Sequence, residues 1–212
     1  MAYTRHNGIF DKIAWFYNPM STLFRDSSKY YSEIRSAVGP RKLDVVLDAG
    51  GGTGLIAQHF LSDAGRVVVL DPSEKMLERV VSDRIEKVRG CVQQMGFSDN
   101  TFDLIYCVDS FHHFTNGYSE AEHDKATDLS IRELLRTLKK DGVLVIMEFN
   151  AGKFGGKMIE LLENKLFGMG SRFYHDSEFK TLFNKYSVNV AISSLDGSAF
   201  LARITKKEDA ET

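Results

Sequence analysis

One stretch limits the architecture of this chain more than any other. An apolar run, Leu43-Asp44-Val45-Val46-Leu47, leads straight into Asp48-Ala49-Gly50-Gly51-Gly52-Thr53-Gly54-Leu55. Glycines packed this densely end a strand in a sharp turn, because they alone enter left-handed backbone without penalty. A turn of this kind at the carboxyl end of a parallel strand lets the main chain approach a ligand closely and leaves N–H groups free at a helix start. The spacing is Gly-x-Gly-x-Gly, with Leu55 where a dinucleotide fingerprint has its third glycine, and no Gly-Lys-Ser/Thr follows. A pyrophosphate clamp and a triphosphate loop are therefore the poorer fits, and a nicotinamide-dependent oxidoreductase fails at Leu55.

The rest of the chain supplies the frame such a turn needs. Val67–Leu70, Phe102–Val108 and Gly142–Phe149 read as further strands, and the near-continuous apolar runs suit strands buried on both faces. Between them lie segments of helical period: Gly54–Leu61, Ser73–Val81 and Lys125–Lys140. In the last, Ile131, Leu134, Leu135 and Leu138 share a face, and Lys139 and Lys140 end it where the helix dipole favours cations. Alternating strand and helix implies right-handed crossovers and a mostly parallel sheet covered on both faces. Ser187–Ile192 and Ala199–Ile204, flanking Asp196-Gly197, read as a terminal antiparallel hairpin. An aromatic-rich helical stretch fills the first forty residues and is expected across the top edge of the sheet. The expected organisation is one domain over 1–212: a helical lid (1–40), a cofactor-binding core (41–150), and an acceptor-side segment with the hairpin (151–212).

Composition excludes other classes. With 27 basic and 29 acidic residues the formal charge is -2, so no general positive field draws nucleic acid or anionic lipid. Two cysteines, Cys91 and Cys107, make no disulfide framework and have no zinc-ligand spacing. Asp103, Asp109 and His123 match no metal pattern, so no metal is expected. No apolar run approaches the roughly 18 residues of a membrane-spanning helix, and the first residues lack a leader's apolar core; a cytoplasmic protein is expected.

A second feature sharpens the ligand. Asp71 ends the second strand, in Val69-Leu70-Asp71-Pro72-Ser73, where a carboxylate can accept both hydroxyls of a ribose lying over the glycine turn. These segments, with Glu74-Lys75-Met76-Leu77, Phe97-Ser98-Asp99-Asn100-Thr101-Phe102-Asp103-Leu104, His112-His113-Phe114 and Leu138-Lys139-Lys140-Asp141-Gly142, resemble the successive motifs of class I S-adenosylmethionine-dependent methyltransferases. The resemblance implies a Rossmann-like, doubly wound sheet of seven strands. It implies that Asp48, Gly50, Gly52, Gly54, Asp71, Pro72 and Met76 surround S-adenosylmethionine and that the backbone at Cys107 holds its methionine end. Family members often carry Asp-Ala where this chain has Cys91-Val92, so Val92 and its neighbour Gln93 are expected at the adenine, with the Gln93 amide oxygen replacing the missing carboxylate. Phe10-Asp11-Lys12-Ile13-Ala14-Trp15-Phe16-Tyr17-Asn18 is similar to the opening of the ubiquinone/menaquinone-biosynthesis branch, although the Asn150–His175 region is shorter than is usual there.

The implied activity is methyl transfer to a small, apolar or aromatic acceptor, with S-adenosylhomocysteine as product. The alternative is a cofactor-binding regulatory or scaffold protein without transfer. His113 and His112, following the third strand, are the candidate general bases, since imidazole titrates near neutrality. Trp15, Tyr17, Glu148 and Tyr174 are the candidate acceptor-pocket residues. A small-molecule acceptor is the expected partner, nucleic acid is not expected, and a homodimer is left open.

Overall fold

The computed structural model describes residues 26–166, 170–195 and 198–208. Its centre is a seven-stranded sheet: β1 (Leu43–Ala49), β2 (Ala64–Asp71), β3 (Glu86–Arg89), β4 (Phe102–Val108), β5 (Leu138–Phe149), β6 (Val188–Ser194) and β7 (Ala199–Lys206). The order is β3-β2-β1-β4-β5-β7-β6, parallel from β3 to β5, with β7 antiparallel to both of its neighbours. The chain starts at β1 and winds outward to β3 on one side, then returns to β4 on the other. The order thus reverses between β1 and β4, and the crevice beyond their carboxyl ends is where doubly wound sheets bind ligands. The expected hairpin is present in β6 and β7, and its Asp196-Gly197 turn lies outside the described residues.

Alternate residues of the central strands feed two apolar layers. Leu47, Ile105, Leu144 and Ile146 point to one face, under α3 (His123–Thr137) and α5 (Asp176–Thr181). Val46, Leu104, Tyr106 and Val145 point to the other, with Ile34 and Val38 of α1 (Ser27–Val38) and Phe60 of a 3-10 turn at Ala57–Ser62. The described part of the expected lid therefore lies on a sheet face rather than across the top edge. Its Tyr31 ring meets Phe60 edge-on at 4.9 Å, and Arg203 of β7 donates to the Ala37 carbonyl.

Three helical expectations change. After Gly54 the chain makes the 3-10 turn in place of a helix, because Asp63 already closes onto Phe60 and β2 begins at the next residue. Beyond Ser73, which caps Met76, α2 keeps only Glu74–Leu77, and the Val81 amide turns back to the Thr53 carbonyl. Further on, α3 ends at Thr137, where Leu138 swings to extended backbone and pairs with Phe102. Lys139 consequently serves the sheet, its ammonium 2.8 Å from Asp103, and not a helix dipole. From Phe154 to Leu161 runs α4, whose last turn widens to a π-type turn over Leu162–Leu166.

Candidate active site

The glycine turn is held open by its own backbone. Gly50, Gly52 and Gly54 have φ of 78°, 56° and 71°, left-handed values that side chains resist. The Gly50 amide is tied to the Leu70 carbonyl of β2 at 2.8 Å, and Gly54 closes on Gly51. A side chain at Gly50 would meet Ser110 at 2.7 Å, since Ser110 lies against the turn and donates from Oγ to the Ala49 carbonyl. The ends of β1 and β4 are thereby clamped together.

Two carboxylates support the turn from below. Asp71 accepts from the Gly52 amide at 3.0 Å with one oxygen and from the Ser73 amide at 2.8 Å with the other. Asp48 is 3% exposed, and burial pushes its carboxyl up to about 7; the Asp71 charge adds to the shift and the Tyr106 hydroxyl opposes it. Pro72 is half-buried at the end of β2, and Met76 and Val92 are buried. Gln93 donates from its side-chain nitrogen to the Phe114 carbonyl. Cys107 is buried in β4, where burial and then the Glu148 and Asp48 charges raise its thiol. The chain then kinks at Asp109, whose φ of 48° is left-handed.

Beyond this kink lies a polar cluster. The His112 side chain donates from Nδ1 to Glu148 at 2.5 Å, and the second Glu148 oxygen accepts from the Phe111 amide at 2.6 Å. Only 1% of His112 is exposed, and its ring stacks on Phe173 with centroids 4.4 Å apart. Burial disfavours its charge, yet the carboxylates of Glu148 and Glu163 push it up to about 10. His113 is partly exposed, with Nδ1 at 2.9 Å from the Ser171 hydroxyl and 3.3 Å from the Asn116 amide. Asn164 brackets Ser171, donating to its carbonyl and accepting from its amide.

The structure thus brings His112, His113 and Glu148 together, and sets Asp48, Asp71, Gly50, Gly52 and Gly54 together at the turn. Tyr174 is not among the histidines' polar neighbours. It is buried in the core with its hydroxyl 3.0 Å from Thr127 of α3. Trp15 and Tyr17 lie outside the described residues. Sequence reasoning missed Ser110, Asn164, Ser171 and above all Glu163, which reaches the histidines from fifty residues on; no local motif marks it.

A reversal of strand order, a glycine-lined turn at that point and an acidic residue ending the next strand are the features with which doubly wound sheets take nucleotide ligands. Residues 47–146 match a family model described as a methyltransferase domain. The ubiquinone/menaquinone biosynthesis C-methyltransferase UbiE of Hydrogenovibrio crunogenus is 31% identical over 157 residues, covering 68% of this chain and 58% of that protein. Such matches make the chain span about half the length of the curated relatives. Among solved structures, a SAM-dependent methyltransferase of Thermotoga maritima superposes with a TM-score of 0.74 at 19% identity, over 94% of this chain and 99% of that one. DhpI, solved as a complex with SAH, superposes with a TM-score of 0.70 at 14% identity, over 95% of each chain. At these identities the structural likeness is one of fold. Residues 47–146 thus form a methyltransferase domain of the class I S-adenosylmethionine-dependent kind, related to the UbiE type.

Proposed function

We propose that this protein transfers a methyl group from S-adenosylmethionine to a small apolar or aromatic acceptor. The observation that carries this reading is the glycine turn itself: three left-handed glycines over the Asp71 carboxylate, closed from beneath by Asp48 and from the side by Ser110. This cradle suits a nucleoside with free ribose hydroxyls, because Asp71 supplies acceptors and the glycines leave no Cβ between backbone and ligand.

Asp48, Gly50, Gly52 and Gly54 form the floor in this reading, and Asp71 takes the ribose. Pro72, Met76 and Val92 enclose the adenine, with the Gln93 amide oxygen meeting its amino group, and the backbone at Cys107 holds the amino-acid end. When bound, the cofactor supplies a methyl carbon already activated on a sulfonium. The chain's part is to align the acceptor and exclude water. The methyl carbon would pass to an electron pair of the acceptor, the sulfur keeping the electrons of the broken carbon–sulfur bond. Where the acceptor carries a proton, His113 draws it off, and His112, held protonated between Glu148 and Glu163, positions it. Tyr174 acts only from the core, by holding Phe111 and its neighbours.

Titration with S-adenosylmethionine, S-adenosylhomocysteine and NAD in parallel tests the site. Saturable binding of the two sulfur compounds alone is expected, and Asp71→Asn should weaken it at least tenfold while melting cooperatively. Incubation with quinols and phenols should then release S-adenosylhomocysteine. Binding of NAD instead, or binding untouched by Asp71→Asn, refutes the assignment; tight binding with no turnover on any acceptor supports the regulatory alternative.

A further inference from the structure

We propose that His112, His113 and Glu163 form a binding site for a divalent transition metal of the zinc class. His112 Nε2 and Glu163 Oε2 are both buried, and neither has a hydrogen-bond partner among the described residues. They face each other at 3.4 Å, and His113 Nδ1 lies 3.8 Å from the same carboxylate oxygen. One ligand atom from each of the three residues fits within a 4.8 Å span.

This separation has a simple meaning in coordination chemistry. Two ligands bound tetrahedrally at about 2.0–2.1 Å stand about 3.4 Å from each other. A direct hydrogen bond would draw the nitrogen and oxygen to about 2.8 Å. His112 gives its Nδ1 proton to Glu148, so a divalent ion that displaces the Nε2 proton would meet a lone pair there, facing the Glu163 carboxylate. The two buried atoms make no hydrogen bond at this spacing, and a divalent ion in place of the Nε2 proton would satisfy both. Glu148 then occupies the position that a carboxylate behind a metal-bound histidine takes in zinc sites, fixing the ring and raising its basicity.

Two imidazoles and one carboxylate suit first-row divalent ions, and three protein ligands leave a fourth position open. His113 and Glu163 are each partly exposed, so a further ligand could approach from their side. Its ligand class is a water or a small acceptor bearing an ionisable thiol or phenol, whose proton the metal would make easier to lose. The histidine pair would then act on an acceptor through the metal's charge and not as free bases. The metal site itself stands whether or not the chain transfers methyl groups.

The purified chain, stripped with EDTA and dialysed, should be titrated calorimetrically with zinc chloride. One equivalent is expected to bind, with proton release that scales with buffer ionisation enthalpy. Glu163→Gln and His113→Gln should each weaken binding at least tenfold, and Glu148→Gln by about 10–100-fold; His123→Gln, elsewhere on the surface, should leave it unchanged. Should Glu163→Gln fail to fold, His113→Gln decides, since that ring is partly exposed. Substituted cobalt(II) provides a second readout on the intact protein, with intense visible bands expected from four-coordination. No saturable zinc binding, affinity indifferent to whichever of the two ligand variants folds, or the weak spectrum of six-coordinate cobalt would overturn the proposal.

Discussion

Asp48 should make the protein less stable as the medium turns from mildly acidic to mildly basic. An aspartate in an unfolded chain titrates near 3.9, whereas burial under the glycine turn raises Asp48 to about 7. The folded state therefore binds this proton more tightly. Unfolding releases it between the two values, and stability falls as pH rises through that window. A gap of about three units at 1.36 kcal/mol each gives a full penalty of about 4 kcal/mol, reached above pH 7. About 1.5 kcal/mol of it is already present at pH 5, so roughly 2.5 kcal/mol is lost between pH 5 and pH 8. Asp48→Asn keeps the shape of the side chain and removes the titration. Urea unfolding of both proteins at several pH values, followed by circular dichroism, gives the difference in stability at each pH. That difference should move in favour of the variant by roughly 2.5 kcal/mol over the range, while changes common to both proteins cancel. Two parallel profiles, agreeing within about 0.5 kcal/mol at every pH, would show that Asp48 is solvated enough to ionise normally and that the argument from burial is wrong.

Gly50→Ala should destabilise by about 2–5 kcal/mol in urea, because a left-handed φ of 78° and a contact at 2.7 Å with Ser110 act together. Gly96→Ala, at φ 73° with nothing within 4 Å, separates the two causes and should cost only about 1–2 kcal/mol. Asp103→Ala removes the acceptor of the Asp44 and Val45 amides and of Lys139, and should cost about 2–4 kcal/mol by the same unfolding assay. Thr127→Val takes from the buried Tyr174 hydroxyl its partner on α3 and should lower stability by about 1–2 kcal/mol, with S-adenosylmethionine affinity unchanged in calorimetry.

The central strands and the turn after β1 were legible because their signals are local and physical: continuous apolar runs for strands buried on both faces, and glycines where only left-handed backbone fits. The edge strand β3 was not, since Glu-Lys-Val-Arg is largely exposed and pairs on one side only, and charge at an edge is what keeps other chains away. Helix lengths failed where tertiary contacts cut them short, at Val81 through Thr53 and at Leu138 through Phe102. Of the polar cluster, His112 and His113 could be read next to each other, but their meeting with Glu148, Glu163 and Ser171 depends on how three distant segments converge.

A side chain at Gly51 would run into the Asp48 carboxylate, its oxygens 2.6 and 2.8 Å from the added carbon. These two positions are therefore not free to vary one at a time. Alanine at 51 is admissible only after the residue at 48 has shrunk, and a smaller residue at 48 leaves a hollow that only a larger one at 51 refills. Each single replacement should be harmful and the pair of them milder than their sum, so neutral drift along this turn has to pass through a compensating partner, and the order in which the two changes arise decides whether the lineage survives the first.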